Sequence, residues 1–199
     1  MPLVPTLVTL APTASNVLDF LYTLSNSSAF KDKSTPQYQA YQWIAGAIIL
    51  NNNVTDEQLT EHYAAAVVHH SLGYLTPLSS WELCMWPTLA CNETTGMVSE
   101  IKMASLSLNG SLPTELGLLS SITKIDLGEN QVIGSIPDDL FRLTDLRFLY
   151  MESNQLTGTL SELIDNTRAL EAISLGNNQL SGPLPLNLKS KTEIRPLRK

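Results

Sequence analysis

The chain has 199 residues, long enough for a substantial core, and a formal net charge of −7. Residues 189–199 hold five basic side chains and one acid, which leaves seven basic and eighteen acidic residues elsewhere, a net of −11. An acidic body argues against nucleic acid as a partner. The longest apolar run, residues 43–50, is far below the roughly 20 residues that span a bilayer, so no direct membrane insertion by this chain is expected.

Residues 1–35 open with MPLVPTLVTLAPTAS, which lacks a basic start and is interrupted by Pro2 and Pro5. It makes a poor signal peptide, and a poorly ordered or partly helical segment is expected, with any export signal or membrane anchor lying outside this sequence. Residues 36–96 read as a helical N-terminal cap. Pro36 suits a first helical position, and the pattern Tyr41, Ile44, Ile48 predicts a helix over 36–50, followed by the loop Asn51-Asn52-Asn53. Thr55 and Gln58 form a capping-box signature ahead of a second helix over 56–71, with Leu59, Tyr63, Ala66, Val67 and His70 on its buried face.

From residue 97 to 188 the chain is periodic. Gly110, Gly134, Gly158 and Gly182 are each 24 residues apart. The same interval separates Ile101, Ile125, Leu149 and Ile173, then Met103, Leu127, Met151 and Leu175, and three further apolar columns ending at Leu180, Leu184 and Leu188. A polar column holds Asn130, Asn154 and Asn178, and a proline column holds Pro113, Pro137 and Pro185, broken by Ser161. A fixed period of this length marks a solenoid of about four stacked units, each too small to bury its apolar face alone. Each asparagine is expected to bond backbone groups of its own coil and the next. Leu106 holds that position in the first unit, which leaves the first coil without the ladder bond.

Residues 122–143, ITKIDLGENQVIGSIPDDLFRL, fit L-x-x-L-x-L-x-x-N-x-L-x-G-x-I-P. This resembles the plant-type extracellular leucine-rich-repeat subclass, found in receptor-like kinase ectodomains, polygalacturonase-inhibiting proteins and algal surface proteins. The resemblance implies an α/β fold: a right-handed leucine-rich-repeat solenoid with a short parallel β-sheet on the concave face and the helical cap at its N-terminus. Cys84 and Cys91, in a C-x-W-x-x-x-x-C element just before the first repeat, resemble the N-terminal cap of such proteins. As the sole cysteines they would close an eight-residue loop by a disulfide, which places the chain in an oxidising compartment. A zinc site with His69 and His70 is the rival reading, though the cysteine spacing is unlike common zinc motifs. Asn26, Asn53, Asn92 and Asn109 head glycosylation triplets that agree with export. The expected location is extracellular, or the outer face of a membrane protein.

No Gly-rich phosphate loop, nucleophile elbow or H-E-x-x-H is present, so no catalytic residue, cofactor or metal is assigned. His62 and His69 fall seven apart on one helix, and Asp138-Asp139 follow Pro137 on the convex side; both pairs read as structural or surface features. The functional surface is expected on the inner face of the strands. The repeat phase places Lys102, Lys124, Asp126, Arg147, Phe148, Tyr150, Glu152 and Ser174 there, with Phe148 and Tyr150 as the aromatic anchor. Four strands give a face only about 14 Å across. The resulting expectation is a non-enzymatic recognition module for a protein or glycan. The alternatives are an adhesive surface protein without a specific ligand and an inhibitor of a wall-degrading enzyme. Residues 189–199 read as a basic tail, and with no closing repeat the C-terminal edge is expected to be open to further repeats or another chain.

Overall fold

A computed structural model of the chain describes residues 14–48, 54–74, 80–183, 185 and 194–195. Helix α1 (Ala14–Leu24) buries Val17 and Leu21. Helix α2 (Pro36–Ile48) begins at the proline, whose missing N–H has no partner to lose there. Helix α3 (Asp56–Ser71) has a complete capping box: the Thr55 hydroxyl accepts from Gln58 N–H at 3.2 Å, and Gln58 Oε1 accepts from Thr55 N–H at 3.1 Å. The expected end of α2 at Leu50, the loop 51–53, and Leu184 and Leu188 lie outside the described residues.

The amphipathic reading of α3 needs correction. The helix is covered on nearly every side, including Glu61, His62, Ala64, Ala65, Val68 and His69, whereas His70 is only half-buried. Helices α1 and α2 pack on one flank and the first coil on another. The segment before the repeats closes the rest. Trp81 stacks on His62 with ring centroids 4.0 Å apart, and Trp86 meets His69 edge-on at 4.7 Å. Glu115, 2% exposed, ties the cap to the first coil by accepting from Gln37 Nε2 at 3.0 Å and Ser25 Oγ at 2.5 Å.

The concave sheet is built from β2 (Val98–Lys102), β3 (Lys124–Asp126), β5 (Phe148–Tyr150) and β7 (Ala172–Ser174), all parallel. Ile101, Ile125, Leu149 and Ile173 pair in register and point inward. Short strands β4 (Ile133–Gly134) and β6 (Gln155–Leu156) make a second sheet, and 3-10 turns Thr114–Leu118, Asp138–Arg142 and Glu162–Asn166 form the convex side.

Two further strands extend the concave sheet beyond the four expected. β1 (Leu89–Cys91) pairs antiparallel with β2, and β8 (Ile194–Arg195) pairs parallel with β7. Six strands span about 24 Å. Part of the supposed basic tail acts as a strand: β8 pairs Ile194 with Ile173 and Arg195 with Ser174, so the C-terminal edge of the sheet is β8 and not β7. The reason is the exposed side of β7, whose unpaired N–H and C=O groups are satisfied by strand addition. Leu175 is buried and Leu180 half-buried.

The asparagine ladder runs towards the preceding coil rather than the next. Asn130 Oδ1 accepts from Leu106 and Leu108 N–H at 3.0 and 3.1 Å, and its Nδ2 donates to Met103 O at 2.8 Å and Leu127 O at 2.9 Å. Asn154 serves Val132 N–H and Leu127 O in the same way, and Asn178 serves Leu156 N–H and Met151 O. The first coil thus has its ladder bonds, donated from the second. What Leu106 omits is a reach back to the cap.

That junction is made by helix α3 instead. Ser71 O and Leu72 O, carbonyls freed at the helix end, accept from Ser111 N–H at 3.0 Å and Gly110 N–H at 3.3 Å. In later coils the Gly110, Gly134 and Gly158 carbonyls accept instead from Ile133, Thr157 and Ser181 N–H, one repeat position before the glycine column. Gly110 also departs from its column. Gly134, Gly158 and Gly182 have φ of 80–83°, the left-handed region. Gly110 is a glycine because a side chain there would begin 1.7 Å from Ser71 O.

Candidate functional site

Two cross-strand rows compose the concave face. One aligns Glu100, Lys124, Phe148 and Ala172; the other aligns Lys102, Asp126, Tyr150 and Ser174. Alternation along each strand forces this, because flanking side chains point away from the buried Ile101, Ile125, Leu149 and Ile173. Each row therefore passes from charged residues through an aromatic ring to a small residue.

Phe148 and Tyr150 lie on one face with ring centroids 6.3 Å apart, both half-buried. Cations bracket them. The Arg147 guanidinium lies 5.3 Å from the Phe148 ring centroid, and Lys124 Nζ lies 5.6 Å from that of Tyr150. Lys124 also meets Asp126 at 3.7 Å, and Arg147 meets Glu171 at 2.6 Å across to the next coil. Both ion pairs are solvent-exposed enough to contribute little to stability. Their effect is to orient charge around the rings.

Glu152 sits beside this group. Its carboxylate lies over Gly128, with Oε1 3.2 Å from where a side chain at Gly128 would begin. Its Oε2 is buried without a hydrogen-bond partner. Lys102 is exposed at the N-terminal side of the face. Seven of the eight expected residues thus share the surface. Ser174 does not, being 5% exposed on the strand that β8 covers at its edge. Glu171, 24 residues after Arg147 in the same column and expected on the same face, is its ion-pair partner.

Cys84 and Cys91 are joined, with Cα atoms 5.5 Å apart, which removes the zinc reading. Of the two histidines proposed for it, His69 is otherwise engaged. His69 sets Nδ1 on Ala65 O at 2.8 Å and Nε2 on Thr88 Oγ1 at 2.6 Å; burial pushes its pKa down to about 4. His62 faces Gln58 O and Trp81 O at 2.6 and 2.7 Å, and burial lowers it despite both carbonyls. Among the described residues no group of three or more His, Cys, Asp or Glu is placed to hold a metal, and no helix is long and apolar enough to cross a membrane.

Asp138 and Asp139 open a convex turn, where Asp139 pairs with Arg142 at 3.2 Å. Among the glycosylation triplets, Asn92 is exposed and its Oδ1 accepts from Thr94 and Thr95 N–H at 2.8 and 3.0 Å, which leaves Nδ2 outward. Asn26 is exposed and accepts from Ser28 N–H at 2.9 Å. Asn109 is exposed too, but its Oδ1 crowds Gly73, 2.6 Å from where a side chain there would begin. Asn53 lies outside the described residues.

Residues 120–180 match the family described as Leucine rich repeat. No curated protein matches the chain by sequence. Solved structures do. The ectodomain of the plant membrane receptor kinase GASSHO1/SCHENGEN3 from Arabidopsis thaliana, solved with CASPARIAN STRIP INTEGRITY FACTOR 2, is 29% identical with a TM-score of 0.54, over 59% of this chain and 15% of its own. The BIR3–SERK2 complex from Arabidopsis thaliana is 29% identical with a TM-score of 0.54, over 62% of this chain and 68% of that one. A Pollen Receptor Kinase 3 is 28% identical with a TM-score of 0.51, over 60% and 61%. The present chain thus spans only a small part of the first of these and about two thirds of the other two. Register, ladder and likeness agree on the fold: the chain is a leucine-rich-repeat solenoid, with the family match at residues 120–180 and a likeness to plant receptor-kinase ectodomains.

Proposed function

We propose that this chain is a non-enzymatic recognition module that binds a peptide or protein through the concave sheet. The observation that carries the reading is the half-exposed Phe148–Tyr150 pair, held between two cations on a rigid parallel sheet. Aromatic rings flanked by arginine are the usual anchors of protein interfaces. The half-buried Asp126 carboxylate in the adjacent coil supplies an acceptor for a donor on the ligand. The face, at about 24 Å, fits a short extended peptide or a compact epitope. The neighbours solved with a named protein or partner support this choice over a glycan.

The setting that suits the chain is extracellular. A disulfide persists in oxidising compartments, and Asn92 offers a free amide nitrogen in a turn already closed by its oxygen. Secretion from eukaryotic cells should give a mass deficit of two protons on Cys84 and Cys91 and a glycan at Asn92; free thiols without glycan would remove the extracellular reading.

The binding test compares wild type, a Phe148→Ala/Tyr150→Ala variant and a convex Asp138→Asn/Asp139→Asn control against secreted peptides and proteins of the source organism. A partner retained by wild type and control and lost by the aromatic variant is expected. Equal retention by all three would place the site elsewhere.

A further inference from the structure

Where α3 meets the first coils there is a cavity of about 170 Å³ that opens to solvent. Glu57, Thr60 and Glu61 line it from the helix, and Met97, Leu118, Leu119 and Ser120 from the coils. Its size is comparable to cavities that hold one benzene-sized molecule.

Glu61 is 6% exposed, yet it lines this opening. Its Oε1 accepts from Val98 N–H at 2.6 Å. No cation and no second donor meets this carboxylate among the described residues. A buried carboxylate with one amide partner is under-compensated, and it takes either a proton or a cation. Burial accordingly pushes its pKa up, and Glu57, one helical turn earlier, adds negative charge at the mouth. The remaining walls combine the apolar Met97, Leu118 and Leu119 with the Thr60 and Ser120 hydroxyls. Leu119 is fully buried, and Met97 and Leu118 are half-buried. A hydrated metal ion is poorly served by such walls, since hard cations take six or more oxygens.

We infer that this cavity binds an ammonium or guanidinium group carried on a short alkyl stem, with the charged head between Glu61 and Glu57 and the stem against Met97 and Leu118. The same chemistry belongs to a basic side chain of a partner and to a free amine. The site is distinct from the concave face and does not rest on the reading given for it.

The test is an amide NMR titration of the full oxidised chain with n-butylammonium, n-butylguanidinium, n-butanol and sodium. Saturable shifts at Val98 and across Glu57–Glu61 are expected with the two organic cations only. Glu61→Gln keeps an oxygen for Val98 N–H, so the fold is retained, and binding should weaken at least about tenfold; Glu57→Gln should weaken it about threefold. Thr60→Leu narrows the opening and should abolish binding with both carboxylates still present. Binding should also fade as Glu61 takes up a proton, which burial makes happen above the ordinary carboxylate range. An acetylated, amidated lysine that binds as butylammonium does identifies a peptide side chain as occupant; its exclusion identifies a free amine. Equal shifts with butanol or sodium, or affinity unchanged in Glu61→Gln, would overturn the proposal. Neither result touches the Phe148–Tyr150 test.

Discussion

At the scale of single residues, the ladder asparagines carry more than their own coil. Asn154 accepts from Val132 N–H and donates to Leu127 O and Met151 O, so Asn154→Leu leaves buried backbone groups of two coils without partners. A loss of about 3 kcal/mol is expected in urea unfolding followed by circular dichroism, with the disulfide intact. His69 gives a pH dependence of definite sign. Its folded pKa is about 4 against an ordinary 6.5, so the unfolded chain takes the proton first as pH falls. The stability it confers is complete above about 6.5 and declines by roughly 3 kcal/mol on descending to about 4. Glu61, raised by burial, works in the opposite direction. Unfolding curves of wild type and His69→Gln over pH 4–7 should therefore converge towards the acid end, and parallel curves would refute the assignment.

At the scale of elements, two glycines in one column answer to different forces. Gly110→Ala drives a side chain into the Ser71 carbonyl at the docking point of α3, and a cost of about 3 kcal/mol is expected. Gly134→Ala meets nothing closer than Ser111 Cβ at 3.6 Å and suffers only from its φ of 80°, about 1–2 kcal/mol. Paired unfolding midpoints of the two variants decide whether the junction or the turn is the more sensitive. This also shows what was legible in the sequence. The 24-residue period announces the strands, their register and the asparagine column, because each is a repeated local solution. Thr55 and Gln58 announce the start of α3. The period cannot tell why Gly110 is a glycine, since that reason comes from a helix end outside the repeat. Nor can it find β8, which pairs with β7 at an interval of 21 residues. The surroundings of α3 were hidden for the same reason: Glu61 and His69 look polar and outward until Val98 and Thr88 arrive from later in the chain. The left-handed column Ser105, Glu129, Ser153 and Asn177, with φ of 55–56°, carries no glycine signature at all.

At the scale of the whole molecule, the concave sheet is extended at its two ends by unlike means. Helix α3 and β1 flank the first coil, and β8 pairs with the strand of the last. A chain lacking residues 189–199 would present β7 as an unpaired parallel edge. Such a chain is expected to self-associate in sedimentation measurements as concentration rises, while the full chain shows no such trend. Recognition by the concave face should persist in the shortened monomer, because Phe148, Tyr150, Arg147 and Lys124 lie on β5, β3 and the residue before β5.

The backward reach of the ladder has a consequence in time. On a ribosome the chain appears N-terminus first, so the amides of Leu106 and Leu108 wait for Asn130, that of Val132 for Asn154, and that of Leu156 for Asn178. No coil can be finished until its successor has emerged. Synthesis thus proceeds with one incomplete coil always trailing at the exit, and a stalled nascent chain would be sealed at the cap and raw at the growing end.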